Sequence, residues 1–341
     1  MSRILVTGGL GFIGSHTVVE LIHAGYDPVI VDNLSNSDPK ILDQLEKIIG
    51  HKPVFYKLDL CHEPDIKELV SKEPELAGII HFAASKAVGE SVQKPLKYYQ
   101  NNFFSLVNLL EAYAGKKLNF VFSSSCTVYG QPDELPVTEK APVKKAQSPY
   151  GNTKQVAEEI LQDLIHSGSN YQIVSLRYFN PVGAHQSALI GELPIGVPQN
   201  LVPFITQTAI GKREKLTVFG DDYNTPDGSN VRDYIHVVDL AKAHVAALKY
   251  MESGVDFGGY DMFNIGTGKG SSVLEVIHAF EKTTGVKLNY NIGPRRGGDV
   301  EQVWGDVTKA AEKLHWKTEL DVDAMMLTAW NWEKYIKNNP L

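Results

Sequence analysis

The chain has 341 residues, enough for one large domain or two medium ones, and its 43% apolar and 21% charged residues are those of an ordinary folded protein. A formal net charge of −7, with no stripe of lysine and arginine, excludes a generic nucleic-acid binder, because a polyanion is held by clustered cations. Two cysteines, Cys61 and Cys126, are too few for a disulfide framework or a zinc site, and no run reaches the roughly 18 to 20 apolar residues of a membrane span, so the cytoplasm is the expected setting.

The first apolar run begins at Ile4, so no signal peptide is expected ahead of it. From there β-branched runs alternate with amphipathic stretches, the pattern of a parallel sheet covered by helices on both faces. The pattern predicts strands near 3–7, 28–32, 53–58, 78–82, 118–123 and 171–176. It predicts helices over 12–24, 38–49, 63–73, 95–114 and 149–167, with Gly25 as the C-terminal cap of the first. The expected fold is α/β, a Rossmann-type doubly wound parallel sheet over residues 1–179. Beyond residue 180 the alternation stops at Pro181, Gly191, Pro194, Gly196 and Pro198 and at the turn cluster 220–229. Residues 180–341 are therefore expected to form a smaller C-terminal α/β substrate domain. Within them 237–251 reads as a helix and 260–265 as a strand, so the chain is expected to return to the first domain around 236–265.

The first strand runs into TGGLGFIGSH, which places Gly8, Gly11 and Gly14 at three-residue intervals just ahead of a helix. A dinucleotide loop needs this composition: a tight strand-to-helix turn, a backbone that can approach a pyrophosphate, and close helix packing. The helix N-terminus adds free N–H groups and the positive end of its dipole. Asp32 closes the second strand, where a carboxylate accepts hydrogen bonds from ribose hydroxyls and repels a 2′-phosphate, favouring NAD over NADP. Asp59, after the third strand, fits a place beside the adenine and equally an exposed loop.

Ser125 follows the fifth strand, and Tyr150 and Lys154 stand at i, i+4 on the helix over 149–167. A lysine ammonium beside a phenol stabilises phenolate, so the pair is expected to draw Tyr150 down from about 10 toward a general base. Ser125 would share the substrate hydroxyl. Cys126 is expected to pack beside the sheet end. His81, His185 and His236 lack metal-ligand spacing, and Asp221, Asp222 and Asp227 read as a solvated turn, so no metal is expected.

VTGGLGFIGSHT at 6–17, KAVGES at 86–91, SPYGNTK at 148–154, RYFNPVGAH at 177–185, DGSNVRDYIHV at 227–237 and PRRGGD at 294–299 carry a resemblance that spans nearly the whole chain. The chain resembles the extended short-chain dehydrogenase/reductases and, among them, the UDP-glucose 4-epimerases. The resemblance implies that Phe12, Ile13, Asp32, Asn33, Leu34, Ser35, Asn36, Ser37, Asp59, Leu60, Phe82, Ala83, Ala84, Ser85, Lys86, Asn101, Ser125, Tyr150, Lys154 and Phe179 line an NAD site. It implies Ser125 and Tyr150 as an acid/base pair that also meets substrate, Lys86 reaching the cofactor and substrate, and Lys154 bonding the nicotinamide ribose. It places UDP contacts at Asn180, Asn200, Leu201, Thr217, Val218, Phe219, Arg232, Arg296 and Asp299; the two arginines suit a pyrophosphate and the amides suit uracil or ribose. Val303 is the best match, among Glu301, Gln302 and Val303, to the position that gates the sugar pocket. A small residue there leaves room for a 2-acetamido group.

The implied reaction interconverts UDP-glucose and UDP-galactose through a 4-keto sugar with transient reduction of bound NAD. A nucleotide-sugar dehydratase would need a carboxylate just after Ser125, where the chain has Cys126 and Thr127. A UDP-glucuronate epimerase would need a cationic sugar pocket, and a non-catalytic NAD sensor would not need Ser125, Tyr150 and Lys154 together. The resemblance also suggests a homodimer, with the helices over 95–114 and 149–167 as candidates for its interface.

Overall fold

A computed structural model describes residues 1–296 and 300–341. The first half runs β1 Arg3–Thr7, α1 Phe12–His23, β2 Asp27–Val31, α2 Lys40–Ile49, β3 Val54–Tyr56, α3 Glu63–Lys72, β4 Gly78–His81, α4 Val88–Gln93, α5 Pro95–Ala112, β5 Leu118–Ser125, α6 Pro149–His166 and β6 Tyr171–Tyr178. The second half runs β7 Asn180–Val182, α7 Leu201–Ala209, β8 Leu216–Phe219, β9 Val231–Arg232, β10 Tyr234–His236, α8 Val237–Glu252, β11 Tyr260–Ile265, β12 Ser271–Ser272, α9 Val273–Thr284, β13 Tyr290–Gly293, β14 Gln302–Val303, α10 Thr308–Lys313 and α11 Val322–Asn338.

Seven strands pair in parallel in the order β11-β6-β5-β4-β1-β2-β3. Strands buried on both faces read as continuous apolar runs, and β1 (RILVT) and β2 (DPVIV) show that pattern. Val18, Val19, Leu21, Leu240, Val245 and Leu248 from α1 and α8 cover one face with β1 and β4. Leu69, Leu106, Leu109 and Leu161 from α3, α5 and α6 cover the other. The strand order reverses between β1 and β4, and a crevice at such a reversal, outside the strand C-termini, is where doubly wound sheets bind ligands.

The seventh strand is the expected return: β11 pairs with β6 from Tyr260↔Ile173 to Ile265↔Tyr178, and α8 packs against the sheet through the same core as α1. Two differences from the sequence reading bear on the site. β5 and β6 run on to Ser125 and Tyr178, paired throughout, because the polar side chains at their ends are buried and partnered inside the protein. Such partners come from other elements and leave no apolar periodicity to read. In addition, α4 precedes α5 as a separate short helix. Gly25 has φ +85° and donates to Ile22 O, so it closes α1 in the left-handed conformation expected of it.

The second half forms small sheets, β10-β7, β12-β9-β14 and β13-β8, packed on α7, α9 and α11 around Val202, Ile205, Phe280, Met325 and Met326.

Four buried histidines make the fold sensitive to acid. Burial lowers His16 and His81 to about 3 and His236 and His244 to about 4, from an ordinary 6.5. Each ring takes up a proton on unfolding once the pH falls below its unfolded value, so stability is held above pH 6.5 and lost as the pH falls toward 3 to 4. The slope is about 1.4 kcal/mol per pH unit for each ring. Thermal melts between about pH 7 and pH 4.5 should show a steadily falling Tm. A flat Tm across that range would contradict the histidine account.

Candidate active site

The turn from β1 into α1 is as tight as its glycines demand. Gly8 has φ +67° and donates its N–H to Val31 O at 2.7 Å, and Gly11 opens the helix without any side-chain cap. A Cβ on Gly14 would run into the carbonyl oxygen of Gly8, and one on Gly8 would press the Ala83 backbone at 3.1 Å. The loops after β1 and β4 are therefore in backbone contact, and the N-terminal N–H groups of α1 remain for an anion. Asp32 is buried at the end of β2, where its carboxylate accepts from Leu10 N at 3.1 Å, Leu34 N at 2.9 Å and Ser37 Oγ at 2.8 Å. Leu34 sits at φ +62°, held there by that bond. Asp59 accepts from Asn33 Nδ2 at 3.1 Å and from Cys61 N at 2.8 Å, tying the loops after β2 and β3 together. Leu60 is buried beneath them, and Asn33, Leu34 and Ser37 are half-buried, with Ser35 and Asn36 exposed.

The loop after β4 is fixed by Phe82 N to Thr7 O, Ala83 N to Thr7 Oγ1 at 3.2 Å and Ser85 N to Asn102 Oδ1 at 2.8 Å. Ala84 lies between them, half-buried. The Asn101 side chain donates to the same Asn102 oxygen at 3.0 Å. Lys86 places its ammonium 5.9 Å from the centre of the Phe12 ring and 3.5 Å from Glu192. Ile13 packs partly buried against the α1 core.

Ser125, Tyr150 and Lys154 meet at the same sheet edge, and all three are buried. Ser148 caps α6 by accepting from Gly151 N, and Pro149 occupies the first turn, so the helix starts one residue ahead of Tyr150. Lys154 Nζ lies 4.8 Å from the centre of the Phe122 ring and 6.0 Å from that of Tyr150, and it donates to Ser123 O at 2.6 Å. One expectation needs correcting: Lys154 does not by itself draw the phenol down. Burial raises Tyr150 above its ordinary 10, the nearby Tyr178 adds to this, and a hydrogen bond with Ser125 opposes it. The same burial lowers Lys154 to about 8, against support from Glu158. Desolvation acts on both groups more strongly than their mutual attraction. A positive charge brought over the phenol by a ligand would supply what Lys154 alone does not.

Cys126 packs as expected beside the sheet end, among Val128, Tyr129, Phe179 and Val303. Burial raises its thiol to about 12, so it has little thiolate character at neutral pH. Among the described residues no cluster of histidine, cysteine and carboxylate side chains could hold a metal ion.

The second half supplies a separate pocket. A cavity of about 200 Å³ is lined by Leu201, Phe204, Leu216, Thr217, Val218, Phe219, Asn230, Val273 and Arg296. The Arg296 guanidinium lies 5.6 Å from the centre of the Phe219 ring. Asn200 opens α7 beside the cavity and donates to Glu192 Oε1 at 2.6 Å. Asn180 begins β7 and donates its backbone N–H to Asp233 O at 2.9 Å, while Arg232, half-buried, turns Nη1 to Val231 O at 2.8 Å. Val303 is opposite Arg232 in the β9–β14 pair. Asp299 lies outside the described residues.

Sequence reasoning missed Asp233, a fully buried carboxylate beside Arg232. It accepts from Thr267 N at 2.8 Å, Thr267 Oγ1 at 2.7 Å, Gly268 N at 3.2 Å and Gly305 N at 3.4 Å. It thus joins β9, the loop after β11 and the segment after β14. Burial raises it to about 6 in spite of those bonds. Its only signal in the sequence is a carboxylate within the run VRDYIHV, where Val231, Tyr234 and Ile235 read as buried strand. Glu192, the common partner of Lys86 and Asn200, sits in an irregular loop and gives no signal at all.

Residues 5–328 match the family model described as GDP-mannose 4,6 dehydratase. The UDP-glucose 4-epimerase of Yersinia pestis is 49% identical over 331 residues, covering 97% of each chain. The crystal structure of UDP-glucose 4-epimerase from Stenotrophomonas maltophila, with bound NAD and formylated UDP-arabinopyranose, superposes with a TM-score of 0.94 at 45% identity. The match covers 99% of this chain and 100% of that one. The enzyme from Bifidobacterium longum, in complex with NAD+ and UDP, superposes with a TM-score of 0.93 at 46% identity, covering 99% of each chain.

The closeness of Gly14 to the Gly8 carbonyl makes a direct prediction. Gly14→Ala should destabilise the protein by about 1–3 kcal/mol through overpacking, lowering the urea midpoint, whereas a midpoint equal to that of the unaltered protein would show that the loop relaxes freely.

Proposed function

The chain belongs to the UDP-glucose 4-epimerase family, and on that premise we propose that it is an NAD-dependent isomerase interconverting UDP-glucose and UDP-galactose. The observation that carries this reading is the meeting of Ser125, Tyr150 and Lys154, all buried, at the sheet edge where the glycine loop ends. The relatives of known structure, holding NAD with UDP or a UDP-sugar, support the cofactor and the substrate class.

Residues 1–179 with the returning segment 236–265 read as the NAD-binding domain, and the remainder of 180–341 as the UDP-sugar domain. The α1 N-terminus and the glycine backbone would hold the NAD pyrophosphate, and Asp32 the adenosine ribose. NAD supplies the acceptor and donor of the C4 hydride. Tyr150 would take the proton of the sugar 4-hydroxyl and give it back to the same 4-oxygen as the hydride returns to the other face of C4, Ser125 would orient that oxygen, and Lys154 would keep positive charge beside the phenol. Asn200, Leu201, residues 217–219, Arg232 and Arg296 would grip UDP. The apolar wall of Cys126, Phe179 and Val303 leaves the hexose free to turn over between the two half-reactions. Asp233, the buried carboxylate near Cys126, is already bonded to Thr267, Gly268 and Gly305, which disfavours a dehydratase that needs a free acid there.

A homodimer fits the exposed apolar side chains of α5, where Leu96 is 80%, Phe104 50% and Val107 41% exposed. The reading places the protein in the cytoplasm.

Protein purified and assayed without added NAD should interconvert the two UDP-hexoses, followed by chromatography of the nucleotide sugars. Tyr150→Phe should lose about 10²–10⁴-fold in kcat while keeping its NAD. Failure of the unaltered, NAD-loaded protein to equilibrate the pair would overturn the assignment. Val303 is small enough to leave room for a 2-acetamido group. The protein should therefore also convert UDP-N-acetylglucosamine, and Val303→Tyr should abolish that activity alone; a variant that still accepted the acetylated sugar would remove Val303 from the pocket wall.

A further inference from the structure

Tyr150, Lys154 and Glu158 succeed one another at four-residue spacing along α6, and all three are buried. The first two are accounted for by the reaction, and the third is not. A carboxylate 3% exposed is costly unless it is paired and hydrogen-bonded, and Glu158 is both. Arg177 on β6, itself 3% exposed, donates to it through Nε at 2.9 Å and Nη2 at 2.5 Å, a bidentate grip. The remaining bond comes from Ser124 Oγ at 2.5 Å. Ser124 immediately precedes Ser125, and it stands opposite Arg177 in the β5–β6 register.

Three consecutive serines at the end of β5 are thus treated differently. The carbonyl of Ser123 accepts from Lys154, the hydroxyl of Ser124 donates to Glu158, and the hydroxyl of Ser125 is left to face Tyr150. Helix α6 holds the strand end at two points one turn apart, Lys154 and Glu158, with Tyr150 a turn beyond Lys154 and Ser125 next after Ser124. We infer that Glu158 is a positioning residue for this reaction: through Ser124 and Arg177 it fixes the end of β5 against α6, and its charge keeps the Lys154 ammonium in place beside Tyr150. The role rests on the epimerase reading and deepens it.

The ionisable groups around the site allow the charge to be tested. Lys154 is faced by Tyr150 and Glu158 from α6 and His81 from β4; Tyr178 on β6 and Tyr98 on α5 face Tyr150, and Arg177 on β6, Tyr129 and Tyr260 face Glu158. His81 is neutral at physiological pH, since burial and Lys154 lower it to about 3. Glu158 is the negative group that raises Lys154 against its burial. With that carboxylate made neutral and Arg177 left in place, the ammonium loses its proton at lower pH. The alkaline limb of the kcat profile should then move to lower pH.

The experiment compares the NAD-loaded wild-type protein with three variants, measuring UDP-galactose turnover from about pH 6 to 10 together with thermal stability. Glu158→Gln should lower kcat by about tenfold or more, leave KM within about threefold and shift the alkaline limb to lower pH. Glu158→Asp retains the charge but not the reach, so it should lose kcat with its alkaline limb near that of the wild type. The single amide leaves Arg177 buried and unpaired, so Glu158→Gln with Arg177→Gln serves as the folding control. The double variant, which removes both opposed charges, should regain stability over Glu158→Gln with its alkaline limb between those of Glu158→Gln and the wild type and its kcat still lowered. A wild-type limb in Glu158→Gln, or a double variant that regains stability and the wild-type kcat together, would reduce Glu158 to a structural ion pair. If the wild type itself fails to turn over UDP-galactose, the epimerase reading falls and the positioning role falls with it.

Discussion

Parallel pairing governs where everything else in this molecule can be. Strands that all run one way end on one side, so the loops after β1, β2, β4, β5 and β6 share a single edge of the sheet. The reversal of order between β1 and β4 opens that edge into a crevice, because neighbouring crossovers leave on opposite faces. Gly8 and Ala83, far apart in the chain, are brought into backbone contact there, and the Ser125↔Tyr178 pairing carries the β5 end to the same place. A glycine loop and a serine–tyrosine–lysine group then need no further device to face one site.

Within that crevice burial sets the chemistry more than any single charge pair. It raises Tyr150 and Cys126, lowers Lys154, and keeps four histidines neutral. A site of this kind disfavours free charge and responds strongly to any charge that a ligand brings into it. The Tyr150 phenol is thereby held toward its neutral form. The ion pair that does persist in the interior, Glu158 with Arg177, persists because both partners are fully hydrogen-bonded.

The second half works by a different principle. Apart from β11, which joins the large sheet, its strands among the described residues are two to four residues long and pair only in small sheets, so polar junctions tie its segments together. Asp233 joins three segments with one carboxylate, and Glu192 joins Lys86 of the first half to Asn200 of the second. A cavity walled by Phe219, Val218 and Leu216 lies beyond them. On the proposed reading, a grip on the nucleotide beside the apolar cluster of Cys126, Phe179 and Val303 would suit a sugar that must present both of its faces.

The sequence alone determined the elements whose physics is local. Period-two and period-3.6 patterning predicted the six crossover-linked strands of the first half and the return at 260–265, because a doubly covered parallel sheet writes its burial directly into the chain. The glycine spacing before α1 and the i, i+4 placement of Tyr150 and Lys154 were legible for the same reason. Only the tertiary structure decided what depends on partners distant in the chain: the extension of β5 and β6 to Ser125 and Tyr178, the buried hubs at Asp233 and Glu158, the link that Glu192 makes between Lys86 and Asn200, and the ordering of the serines at the β5 end. It also reversed the expected direction of the Tyr150 shift, which burial sets upward, since spacing shows that two groups are near but not how completely water is excluded from both.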